Sequence, residues 1–124
     1  MNFRDHSFGS KAIPGLLQSL EKGRVDVRRS IAKILGSFES GVEEIIPGLI
    51  ATLRDDDLEV KREAIFSMSK LGNKAEITVS NLISLVEDVN EDRELRRCAA
   101  KALGAIGSDR EDVVCFAENH GEYC

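Results

Sequence analysis

"DVRRSIAKILG", residues 26–36, is the first statement of a phrase that the chain repeats. It returns as "EVKREAIFSMS" at 59–69, running on to Leu71-Gly72, and as "ELRRCAAKALG" at 94–104. In each copy apolar residues recur every three or four positions, the spacing of one face of a helix. They are Val27, Ile31, Leu35 and Phe38; then Val60, Ala64, Met68 and Leu71; then Leu95, Ala99, Leu103 and Ile106. The first two copies are 33 residues apart (27 to 60) and the next two 35 (60 to 95). The two extra residues fall in the polar turn "EDVNEDRE" at 87–94, where an insertion costs least.

Upstream of each copy lies a second apolar ladder. Ile13, Leu16, Leu17 and Leu20 become Ile46, Leu49, Ile50 and Leu53, then Val79, Leu82, Ile83 and Val86, in steps of 33. Each unit therefore reads as helix A, a short polar turn and helix B, and two helices per 33–35 residues are the signature of an α-solenoid. One helical pair cannot bury both its faces, so the units must stack. The expected fold is all-α, a single domain over 1–124: repeat 1 at about 10–39, repeat 2 at about 40–72, repeat 3 at about 73–107, and a capping helix and tail at 108–124. In the tail, "DREDVVCFAE" (109–118) sets Val113, Val114, Phe116 and Ala117 among acids, as a capping helix requires. Phe3 and Phe8 are expected either to fold over repeat 1 or to line an interface left open there.

Ser40-Gly41-Val42-Glu43 and Ser108-Asp109-Arg110-Glu111 have the form of capping boxes, and Asn73-Lys74-Ala75-Glu76 is a near relative. Gly36, Gly72 and Gly107 stand where helix B should end, positions suited to a left-handed residue. Pro14 and Pro47 fall early in the A helices, where a missing amide hydrogen is tolerated.

Composition supports the same class. A hydrophobic fraction of 42% with 5% aromatics and no Trp points to a core of Leu, Ile, Val and Ala, suited to helix packing. The net charge of −5 argues against a general nucleic-acid binder, which needs a basic surface. No apolar run approaches the roughly 20 residues that span a bilayer, and "MNFRDHSFGS" lacks the apolar core of a signal peptide, so the expected location is cytoplasmic. Cys98, Cys115 and Cys124 are odd in number with no CxxC, which fits a reducing compartment.

The stretches "AIPGLLQSL…DVRRSIAKILG", "IIPGLIATLRDDDLEVKREAI…LG" and "TVSNLISLVED…ELRRCAAKALGAIG" resemble HEAT repeats, and more narrowly the short HEAT-like repeats of phycobilisome lyases. The resemblance covers roughly residues 10–107. It implies that the turn acid and the helix B base bond between neighbouring repeats, giving Asp55, Asp88, Arg28, Lys61 and Arg96 structural roles. Repeat 1 departs from the pattern with Lys22 in place of the turn acid, repeat 2 with Lys61 in place of Arg, and repeat 3 with Ser80 in place of Pro.

On helix B, the positions two, six and nine residues after Val27, Val60 and Leu95 point away from the apolar stripe at 100° per residue. They hold Arg29, Arg62 and Arg97; Lys33, Phe66 and Lys101; and Gly36, Ser69 and Gly104. The resemblance implies that B helices line a concave face, where the arginines would form a row with steps of about 10 Å, the usual helix spacing. Such a row fits carboxylates or phosphates, which Arg binds with two parallel hydrogen bonds. The expected partner-binding residues are thus Arg29, Lys33, Arg62, Phe66, Arg97 and Lys101; the alternative is that the Arg and Lys side chains only solubilise exposed helix positions and pair with nearby Glu. The acids clustered in the turns (Asp55, Asp56, Asp57; Glu91, Asp92, Glu94) are expected instead to stabilise helix N-termini.

No catalytic constellation emerges. The His-Glu pairs of HEAT-like iron enzymes are missing, since His6 precedes Ser7 and His120 precedes Gly121. Cys115, His120 and Cys124 lack the fourth ligand and tight spacing of a structural zinc site. The expected function is a non-catalytic protein-interaction or scaffold module, with no metal and no cofactor. Its partner is another protein, through an acidic or phosphorylated segment, and neither nucleic acid nor membrane. Self-association through open solenoid ends is allowed by this reading. The alternative is an accessory subunit of a bilin lyase or a related phycobiliprotein-handling factor.

Overall fold

A computed structural model describes the backbone of residues 6–107, with side chains for 12–72 and 74–107. Three helical pairs follow one another: α1 (His6–Lys22) with α2 (Val25–Leu35), α3 (Val42–Thr52) with α4 (Leu58–Leu71), and α5 (Val79–Glu87) with α6 (Arg93–Ile106). A 3-10 segment, Gly72–Thr78, carries the chain from α4 to α5. Among the described residues there is no strand. The second helices pack side by side, α2 on α4 and α4 on α6; the first helices form the other layer, α1 on α3 and α3 on the 3-10 segment.

The core lies between these layers. Ile13, Leu20, Ile46, Leu49, Val79, Leu82 and Val86 supply it from the first helices, and Leu16, Leu17, Ile50, Leu53 and Ile83 pack against it half-buried. The second helices bury Ile31, Leu35, Val60, Ala64, Met68, Leu71, Leu95, Ala99, Leu103 and Ile106. Val27 departs from the pattern: it is 39% exposed, whereas its counterparts Val60 and Leu95 are buried. Those two lie on helices with a second helix packed before them, and among the described residues α2 has none.

Helix boundaries depart from the sequence reading in three places. α1 starts at His6, so Pro14 sits mid-helix rather than near the start. α3 is capped by Gly41 in the left-handed region (φ 75°), not through a Ser40 capping box, and α5 follows the 3-10 segment with no side-chain cap at Thr78. The side-chain caps belong instead to the acidic turns. Asp57 accepts a hydrogen bond from the Val60 amide (2.9 Å) and Asp92 from the Leu95 amide (3.1 Å), each satisfying an amide at the start of a second helix. The box at Ser108 and the expected capping helix at 109–118 lie outside the described residues, as do Phe3 and the side chain of Phe8.

Only Gly72 of the three helix-end glycines has a positive φ (60°). Gly36 is in the right-handed helical region and serves close approach: a methyl group there would stand 2.7 Å from Ser67 Cα. At that contact the buried Ser67 hydroxyl donates to the Ala32 carbonyl, tying α4 to α2.

Ionic links join successive pairs. Arg28 donates from Nε and Nη2 to the two Asp55 carboxylate oxygens (2.9 and 3.1 Å) and from Nη1 to the Gly23 carbonyl (2.8 Å). This is the bond the family resemblance implies. One step on, the register changes: Lys61 meets Glu91 at 3.3 Å, while Asp88 accepts from the Asn90 amide within its own turn. The two-residue insertion accounts for the change, because the longer turn offers Glu91 to Lys61 and leaves Asp88 to fold the turn. Arg96 donates to the Val86 carbonyl (2.8 Å). Among the described residues no helix is long and apolar enough to cross a membrane.

Candidate functional site

The periodic pattern places Arg29, Arg62 and Arg97 at one register of α2, α4 and α6, but each arginine has an acidic partner. Arg29 reaches across to the next pair and donates from Nε and Nη2 to the Asp57 carboxylate, both at 2.9 Å. Arg62 pairs with Glu59 (2.8 Å) and Arg97 with Glu94 (3.4 Å), each one turn back on its own helix. Surface pairs of this kind contribute little, so Arg62 and Arg97 can exchange partners cheaply. Arg29 is different, because its partner also caps α4. Its two hydrogen bonds hold the Asp57 carboxyl down to about 2, with the Val60 amide adding to the effect. Burial pushes Asp55 upward, but the bonds from Arg28 and the Asp57 amide outweigh it, and its carboxyl titrates below the usual range.

A depression of about 340 Å³ opens between α4 and α6, lined by Arg62, Ile65, Phe66, Ser69, Cys98, Lys101 and Ala102. Its floor is apolar and its rim cationic. Phe66 stands 58% exposed, with Lys70 Nζ 5.1 Å from its ring centroid, a cation–π arrangement that holds the ring outward. Lys101, exposed beside it, makes no ion pair among the described residues. Local sequence explains the placement: four residues separate Phe66 from Lys70, and the two-residue shift of the last turn brings Lys101 to the register of Phe66 on the neighbouring helix.

Of the six residues expected to bind a partner, three share this depression: Arg62, Phe66 and Lys101. Arg29 is engaged by Asp57, Arg97 lies outside the lining, and Lys33 is exposed on α2. The nine-residue offset does not keep one environment, since Gly36 is buried against Ser67 whereas Ser69 lines the depression and Gly104 is exposed. Cys98 is half-buried and packs against the core, as its register requires. Sequence reasoning missed Lys70 and Ile65; the i to i+4 spacing of Lys70 from Phe66 was the signal available. His6 begins α1, and Cys115, His120 and Cys124 lie outside the described residues.

A larger trough, about 830 Å³, lies on the other layer between the start of α3 and the 3-10 segment, lined by Val42, Ile46, Pro47, Ile50 and Ile77 among others. Its lining comes mostly from α3 and the turn before it, with Lys74 and Ile77 from the 3-10 segment. The smaller depression combines an exposed aromatic ring with a cationic rim, which makes it the stronger candidate.

Stacked helical pairs with a continuous core and a layer of second helices define a helical-repeat protein. The family model for HEAT repeats matches residues 13–79, more than half of the chain, and the chain belongs to that family. The match makes no narrower assignment to the lyase-type repeats. No curated protein matches the chain.

Proposed function

We propose that this protein is a non-catalytic interaction module that binds an acidic segment of another protein across the second-helix layer, at the depression between α4 and α6. HEAT repeats generally mediate protein–protein interaction, and the observation that favours this site is Phe66. A large aromatic side chain, 58% exposed and ringed by Arg62, Lys70 and Lys101, is the combination that anchors partners: an apolar contact at the centre and charge at the rim. An extended segment with one apolar side chain flanked by carboxylates or phosphates satisfies both parts.

The test is capture of partners from the native lysate by the wild-type chain and by a variant with Phe66→Ala, Arg62→Glu and Lys101→Glu. All three side chains lie on the surface, so the variant keeps its helical circular dichroism. A protein retained by the wild type and lost by the variant is the expected result. Equal retention by both would remove the site from this depression. A co-eluting pigment in place of a protein would favour the accessory lyase subunit instead.

A further inference from the structure

We propose that the outer edge of α2 is a second docking surface, which accepts a single acidic amphipathic helix of another protein. The repeat supplies the internal comparison. Val27, Ser30 and Ile34 on α2 stand at the register of Val60, Glu63 and Ser67 on α4 and of Leu95, Cys98 and Ala102 on α6. On α4 and α6 the first and third of these positions are buried, and Ser67 lies against Ala32 and Gly36 at the end of α2. On α2 the same positions are open, Val27 at 39% and Ile34 at 43% exposure. The edge therefore has the shape and periodicity of a face that two sister helices use to receive a helix.

Charge selects the occupant. Where α2 docks on α4, its Arg28 and Arg29 meet Asp55 and Asp57 in the turn before α4. In the turn before α2 those two positions are Lys22 and Arg24, 33 residues earlier. Arg24 is open to solvent, with Asp26 no closer than 3.8 Å, and Lys22 is exposed. A helix arriving at α2 in the same register must carry acids where α2 carries Arg28 and Arg29. A second copy of this chain would bring Arg97 of α6 against Arg24, like charge against like, which opposes head-to-tail stacking of copies. A small residue is needed about two turns further along the arriving helix, where Gly36 receives Ser67, because Ile34 is bulkier than serine.

The probe is a labelled peptide of residues 24–38 carrying Arg28→Glu and Arg29→Glu, stapled between positions 30 and 34 to hold it helical. The unreversed peptide is its control, and fluorescence anisotropy with the full chain at low salt is the readout. The reversed peptide should bind at least tenfold more tightly than the control. Ile34→Asp in the protein should weaken it at least tenfold, and Lys22→Glu with Arg24→Glu should exchange the preference between the two peptides. Phe66→Ala should leave this binding unchanged, which separates it from the depression between α4 and α6. Equal affinity for the two peptides, indifference to Ile34→Asp, or loss on Phe66→Ala would each overturn the proposal. So would dimerisation of the wild-type chain at 100 μM in sedimentation, with the dimer broken by Ile34→Asp, because the edge would then belong to a second copy.

Discussion

Two glycines at one register of the second helices have opposite surroundings, and substitution separates them. A methyl group at Gly36 meets the Ser67 backbone at 2.7 Å, and backbone cannot turn aside as a long side chain can. Gly36→Ala should therefore cost about 1–3 kcal/mol, the usual penalty for overfilling a packed contact. Gly104 lies within α6 with nothing inside 4 Å of such a methyl, so Gly104→Ala should gain about 0.5–1 kcal/mol from helix propensity. Denaturant midpoints of the two variants measure both signs, and a similar loss from each would contradict the described packing. Asp57 gives a second prediction through its protonation. Its carboxyl titrates at about 2 in the folded chain, below its ordinary value of 3.8. The unfolded chain therefore takes up this proton first as pH falls, so the contribution is fully present above about pH 4 and is lost on descending through about pH 2. Asp57→Asn should flatten that part of the acid limb in pH-dependent unfolding, while Asp56→Asn, in the same turn, should leave it in place.

Both ladders were legible in the sequence because burial along a helix imposes a period, and a period survives in a bare string of letters. Leu49 and Leu82 hold equivalent places in α3 and α5 and are fully buried. Leu49→Ala and Leu82→Ala should each cost roughly 2–5 kcal/mol in chemical denaturation, and a cost below about 0.5 kcal/mol would contradict their place in the core. What stayed hidden depends on neighbours distant in sequence. Whether Arg29 is an open binding group or one half of a link to the next pair turns on Asp57, 28 residues away, and no helical period records that distance. The same holds for Gly36, whose role is set by Ser67, and for Lys61, whose partner moved from Asp88 to Glu91 when the turn lengthened. Half of the expected binding set met in one depression because Arg62, Phe66 and Lys101 needed only the period and the stacking order; Arg29 lies one helix away on α2, where it reaches Asp57 instead. Arg29→Glu should accordingly act on stability, lowering the unfolding midpoint, rather than on partner capture.

Among the described residues, the three pairs pack in sequence order along the second-helix layer, with α4 between α2 and α6. Stability in such a stack is close to a sum of nearest-neighbour contacts, so the middle should open last. Native-state hydrogen exchange should show α4 protected to the limit of global unfolding and α2 opening earlier, with the difference widening in acid as the opened form takes up protons at Asp55 and Asp57 that the closed form resists. Uniform protection across α2, α4 and α6 would mean that the links through Arg28 and Arg29 do not govern the outer pair. The 3-10 segment Gly72–Thr78 breaks the regularity of this stack. Ala75 (φ −97°, ψ 20°) kinks it into two short turns, whose hydrogen-bond geometry is poorer than that of an α-helix. Considered as a spring, the molecule has one coil that is kinked and of softer wire. A pull along its axis would bend it at that coil, and a partner gripping all three pairs would feel its compliance.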